Sequence, residues 1–132
     1  VEAENSAWLK ATLATLNWFN VKTYGKDADA AAWSIAQHAD ADPALQGVVL
    51  ERMGQLALTK DSNPANFAYL WDRVALRDGR PQRYGTQMRC IGKAWSPISP
   101  LEEPAKLDER RRWVGLAPEA QYQRSGAKIC GG

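Results

Sequence analysis

His38 is the only histidine in a chain of 132 residues, and Asp40 and Asp42 follow it within four positions. A carboxylate set against an imidazole fixes the ring tautomer and raises its basicity, which is what a general base requires. The run Gln37-His38-Ala39-Asp40-Ala41-Asp42 therefore reads as an acid/base candidate, with His38 as proton carrier and Asp40 as its orienting partner. Ser34, one helical turn earlier, is a further possible contact. The competing reading is local: His38 closes a helix end, Asp40 is solvated, and Asp42 caps the following helix. These residue types also suit a divalent metal. The run crosses a helix boundary, however, and no second histidine, CxxC pair or HExxH pattern accompanies it, so no metal and no cofactor is assigned.

A second polar concentration spans residues 69–87. Asp72 and Arg73 fall on a helical stretch about 100° apart around its axis, so one of them must face the interior or a cleft margin. Asp72 is a second candidate for orienting His38 in catalysis. Arg73, Gln82, Tyr84 and Gln87 are candidates for positioning a polar substrate, since a guanidinium, a phenol and two carboxamides fix such a ligand by hydrogen bonds. Gly85 among them permits a bulge or a close backbone approach. The structural alternative is an Asp–Arg network that fastens a hairpin to the preceding helix. A G-x-S-x-G elbow, a phosphate-binding loop and a dinucleotide fingerprint are all absent.

The elements that must position these groups follow from periodicity and stop signals. Leu9, Leu13 and Leu16 put a helix over 5–19, and Asp27 caps another over 27–38. Asp42-Pro43 opens a third, to about residue 59, with Leu45, Val48, Val49, Arg52 or Met53, and Leu56 on its buried face. Asn63-Pro64 repeats that signal for a fourth, carrying Phe67, Leu70, Trp71 and Val74 and closed by Gly79. Beyond Pro81 the pattern changes to two short strands, 83–90 and 93–98, turning near Ile91-Gly92. A helix over 104–114 and a short one over 118–122 complete the chain. The expected class is α+β, mainly α: five to six helices packed around a core, with one short β-hairpin.

Lys and Arg total 17 against 15 Asp and Glu, a net charge of +2, which argues against a nucleic-acid or membrane-surface binder. The densest basic run, Arg110-Arg111-Arg112, follows Asp108-Glu109 and reads as a solvated helix face. No apolar run reaches membrane-spanning length. Six tryptophans supply core area for one globular domain over 1–125, followed by a C-terminal tail, 126–132. A Cys90–Cys130 disulfide would tie that tail back to the hairpin, closing a loop worth about 4 kcal/mol in the chain-entropy model. The alternative is two unrelated thiols in a reducing cytosol. The chain starts at Val1, which removal of a signal peptide and simple trimming explain equally.

Three ordered blocks carry a family resemblance: Trp33-Ser34-Ile35-Ala36-Gln37-His38-Ala39-Asp40-Ala41-Asp42-Pro43, then Tyr69 through Gln87, then Pro100-Leu101 through Leu116. Together they resemble an uncharacterised family of small bacterial proteins known only as a domain of unknown function, over about 31–122. The resemblance implies recurrent polar positions at Gln37, His38, Asp40, Asp42, Asp72, Arg73, Gln82, Tyr84, Thr86 and Gln87, and also at Asp108, Arg110 and Arg111. It supplies no reaction. Cys90 and Cys130 stand as additions to the family pattern and favour an exported form.

Two functions fit. One is a cofactor-independent enzyme with a polar pocket, using His38 as general acid/base on a polar small molecule or peptide. The other is a non-catalytic exported binding protein, of inhibitor or immunity type, with a protein partner. A periplasmic or secreted location suits both, with the cytoplasm left open.

Overall fold

The computed structural model describes residues 1–131, which fall into two compact units, Val1–Leu70 and the part from Trp71 onward. The architecture is α+β and mainly α, as expected: seven α-helices and one antiparallel hairpin among the described residues.

The first unit is helical. It comprises α1 (Glu2–Leu13), the single turn α2 (Val21–Tyr24), α3 (Lys26–Gln37), α4 (Pro43–Ala57) and the first half of α5 (Pro64–Arg77). Leu9, Leu13, Trp18, Ala32, Ala36, Leu45, Val49 and Met53 form its core, each at most 3% exposed. α4 and α5 begin where the Asx-Pro signals put them. Asp42 Oδ1 accepts from the Leu45 amide at 3.1 Å, and Asn63 Oδ1 accepts from those of Ala65 and Asn66 at 2.9 and 3.2 Å.

α1 stops at Leu13, well short of the expected end near residue 19. Arg52 of α4 explains the early stop. Its Nη1 donates to the carbonyls of Leu13, Leu16 and Asn17 at 2.6, 3.0 and 3.0 Å, satisfying end groups that further turns would have used. α3 is preceded by Gly25 at φ 89, a conformation that L side chains rarely adopt, so the expected Asp27 cap lies inside the helix. Asp29 lies in the first turn of α3, where the helix dipole favours a carboxylate. It is 1% exposed and accepts from Trp18 Nε1 at 2.7 Å, Ser62 Oγ at 2.6 Å and the Asn63 amide at 2.9 Å.

In the second unit α5 ends with Gly79 at φ 72, and the Arg80 amide donates to the Ala75 carbonyl at 2.8 Å in a left-handed helix cap. β1 (Met88–Ile91) and β2 (Ala94–Pro97) pair with Cys90 opposite Trp95, joined by Gly92-Lys93. A 3-10 turn (Pro104–Lys106), α6 (Leu107–Trp113) and α7 (Glu119–Ile129) follow. Two expectations change. The first strand loses its first half, 83–87, for a reason that the site geometry supplies. The last helix runs to Ile129, so residues 126–129 of the expected tail are helical, and Gly132 lies outside the described residues. Cys90 and Cys130 form a disulfide, with their Cα atoms 5.5 Å apart. No described helix is long and apolar enough to cross a membrane.

Candidate functional site

The polar candidates divide between the two units, so each group is built separately. In the first unit, His38 is the residue that closes α3, with φ −92 and ψ 2. Its Nδ1 lies 2.8 Å from the Ser34 carbonyl oxygen. That oxygen can only accept, so Nδ1 carries the proton. In the neutral ring, Nε2 is then left with its lone pair. The partner that fixes the tautomer is thus a carbonyl of the histidine's own helix. Asp40 Oδ1 accepts from Gln46 Nε2 at 3.2 Å, and the same Nε2 donates to the Ala36 carbonyl at 3.0 Å. Asp42 is the α4 cap, with Lys10 Nζ 2.7 Å from its Oδ2.

His38 is exposed and borders two open cavities. The smaller, about 180 Å³, is lined by Glu2, Asn5, Ser34, Ile35 and His38. The larger, about 450 Å³, runs past Glu2, Ser6, Lys10, His38 and Asp42, with small alanines between them. An exposed imidazole, an ammonium and the two carboxylates of Glu2 and Asp42 line the larger cavity.

Its electrostatics give a pH signature. The Lys10 ammonium and then the Leu45 amide hold the Asp42 carboxyl below its ordinary 3.8. A carboxyl with a depressed folded pKa stabilises the fold above its ordinary value, and that contribution is lost as pH falls through the depressed one. Lys10→Met should therefore raise the Asp42 pKa toward 3.8 in an NMR titration of its side-chain carbon, and shift acid unfolding to higher pH. An unmoved titration would remove Lys10 as the cause.

In the second unit Asp72 is the organising residue, and it is fully buried. Its Oδ1 accepts from the amides of Arg83 and Tyr84 at 2.8 and 3.1 Å; its Oδ2 accepts from the amide and hydroxyl of Thr86 at 2.9 and 2.8 Å. This is why residues 83–87 are not a strand: the donors a neighbouring strand would need are committed to a carboxylate. Gln82 is fully buried too. Its Nε2 donates to the Gln87 carbonyl at 3.0 Å and its Oε1 accepts from the Gln87 amide at 2.8 Å. Gln87 Nε2 donates to Thr86 Oγ1 at 3.1 Å.

The carbonyls of the same loop are taken from the other side. Arg110 Nε donates to the Arg83 carbonyl at 2.6 Å, and its Nη2 donates to that of Glu102. Arg111 Nη1 donates to the Tyr84 carbonyl at 2.7 Å, and Tyr122 Oη to that of Thr86 at 3.2 Å. The arginine run expected as a solvated face therefore includes Arg111 at 1% exposure, stacked 4.9 Å from the Tyr122 ring centre. Tyr84 is buried, which raises its phenol pKa, and its ring meets Trp71 edge-on at 6.1 Å. The Arg83 and Arg80 guanidiniums lie 4.5 and 5.2 Å from the Trp71 ring centre. Arg73 is half-buried beside Asp72 on α5.

The structure thus brings His38, Asp42 and Lys10 around one cavity, and Asp72, Gln82, Tyr84 and Gln87 into one hydrogen-bonded loop. Lys10, Asp29, Arg52 and Arg111 act as polar anchors or cavity residues, roles that sequence position alone does not announce. Two of them carry a signal. Asp29 precedes buried Ala32 and Ala36 by three and seven positions, and Arg111 follows buried Leu107 by four, so both sit on apolar stripes. Among the described residues, no group of three or more His, Cys, Asp or Glu side chains is arranged to hold a metal ion.

The model of a family of unknown function, DUF6624, matches residues 1–131. No curated protein and no solved structure matches the chain.

Proposed function

We propose, for a chain that belongs to the DUF6624 family of unknown function, that the cavity beside α1 is an active site in which His38 acts as general acid/base on a polar substrate. One observation carries this reading: the Ser34 carbonyl fixes Nδ1 as the donor, leaving Nε2 as the basic atom of a side chain that borders a cavity of about 450 Å³. A base that is exposed, preset in tautomer and bordered by an ammonium can take a proton from a hydroxyl or water and return it to a leaving group. Asp40 and Asp42 then serve the base by shaping its loop. Asp72, Gln82, Tyr84 and Gln87 have a holding role, supported by the hydrogen bonds through which Asp72 and Gln82 grip the loop and by the burial of Tyr84. The Cys90–Cys130 bond supports an oxidising compartment, periplasmic or extracellular.

A screen of small esters, amides and phosphoesters tests the reading. His38→Ala should lower turnover of any substrate found by about 10²–10⁴-fold, with the fold intact by circular dichroism, because an exposed helix-end side chain contributes little packing. Equal turnover by wild type and variant would sink it.

The second reading, a binding protein without turnover, is favoured by Arg80 and Arg83 over Trp71, whose side chains are 48% and 42% exposed for the two arginines. Such a guanidinium–indole surface suits a protein partner. A partner lost on Arg83→Ala and retained by His38→Ala, with no turnover in the screen, would favour it.

A further inference from the structure

We infer that the furrow between α1 and α4 binds an aliphatic chain bearing an anionic head, with the head at Arg52. A third cavity, about 380 Å³, lies along these helices, lined by Lys10, Leu13, Ala14, Ala44, Leu45, Val48 and Arg52. That volume is in the range of small-molecule sites. Its wall is apolar apart from the two cations. Lys10 also lines the His38 cavity, so the two spaces share a residue. On α1 their lining continues as one stripe through Ala3, Ala7, Lys10 and Ala14, at spacings of four, three and four.

Charge chooses the occupant. Lys10 is already neutralised by Asp42 at 2.7 Å. Arg52 is not: its three hydrogen bonds all leave from Nη1 and all go to carbonyls, and among the described residues no carboxylate pairs with it. Those bonds lock the guanidinium against the end of α1, and no described residue accepts from Nε or Nη2. That pair of nitrogens is the edge that takes a carboxylate with two parallel bonds. From Arg52 back to Ala44 is two turns of α4, about 12 Å, the reach of a medium-length alkyl chain. A chain held by its carboxylate at Arg52 would run over Val48, Leu45 and Ala44 toward Lys10 and His38. The inference narrows the substrate class for the site proposed above to chains whose reacting bond lies at the end remote from the carboxylate, and rests on that reading for the chemistry but not for the binding.

Decanoate titrated into the whole chain by calorimetry tests it, with decylammonium and acetate as comparisons. Decanoate should saturate one site per chain. Decylammonium and acetate should each bind at least tenfold more weakly, as should decanoate to Val48→Asp, a change on a part-exposed groove residue whose fold is checked by melting. Arg52→Lys should weaken decanoate while leaving decylammonium unchanged. Absence of saturable binding, or equal binding of decanoate and decylammonium, or a Val48→Asp chain that binds as wild type does, would overturn it. Decanoate should bind His38→Ala unchanged. Unchanged turnover in His38→Ala with that binding intact would fail only the catalytic reading, and turnover lost in His38→Ala without saturable decanoate binding to the wild type would fail only this one.

Discussion

Asp72→Ala should lower the unfolding free energy by about 3–5 kcal/mol, the order expected when several buried donors lose a shared charged acceptor. The side chain itself is small, and its apolar burial accounts for little of this. The cost comes from the donors left behind: the amides of Arg83, Tyr84 and Thr86 and the Thr86 hydroxyl all point at one carboxylate. Each buried donor left unpaired costs about 1–3 kcal/mol before water or relaxation repairs it. Asp72→Asn keeps one acceptor oxygen and presents an amide to the other pair of donors, so it should lose about half as much. Urea unfolding of the three chains measures this directly. A loss below 1 kcal/mol for alanine would show that solvent replaces the carboxylate, and the loop would then need another explanation.

A single methyl group should do comparable damage at the other end of that unit. A Cβ added at Gly126 would sit 2.0 Å from Trp95 Cδ1 and 2.1 Å from Cγ. These atoms are at the root of the indole, so a small rotation of a flexible tip cannot clear them. Gly126 has an ordinary helical backbone, so the constraint is purely steric. Overpacking of this kind costs about 1–3 kcal/mol and occasionally more. Gly126→Ala should fall at the upper end, because the disulfide at Cys130 restrains α7 from sliding off β2. Trp95→Leu makes room for the methyl. The double variant should therefore be less destabilised than the sum of the singles, and additive losses in thermal melts would refute direct contact as the cause.

How readily each feature could be read from the sequence tracks how local its cause is. The starts of α4 and α5 were legible because Asp42-Pro43 and Asn63-Pro64 carry both the cap and the fixed φ within two residues. The loop at 83–87 was misread as a strand because its residues suit one. What diverts it is a carboxylate 11–14 positions earlier, and no periodicity records that. The end of α1 was likewise set by Arg52, 39 positions away from Leu13. The polar candidates were legible as residue types, and Asp42 as a cap. Their groupings were not, since Lys10 reaches Asp42 across 32 positions and was lost among other surface lysines. The one local contact at the candidate site, His38 to the residue a turn before it, was within reach of a helical reading.

The bond between Cys90 and Cys130, 40 positions apart, closes a covalent ring that includes β2, α6 and all of α7. A protease that cuts once inside that ring opens it without releasing either piece. Two cuts, or one cut followed by reduction, are needed before a fragment can leave. In a compartment rich in proteases and poor in thiols, a nicked molecule would still migrate as an intact one until a reductant is added, and its loops could accumulate single cuts while the mass of the molecule stays whole.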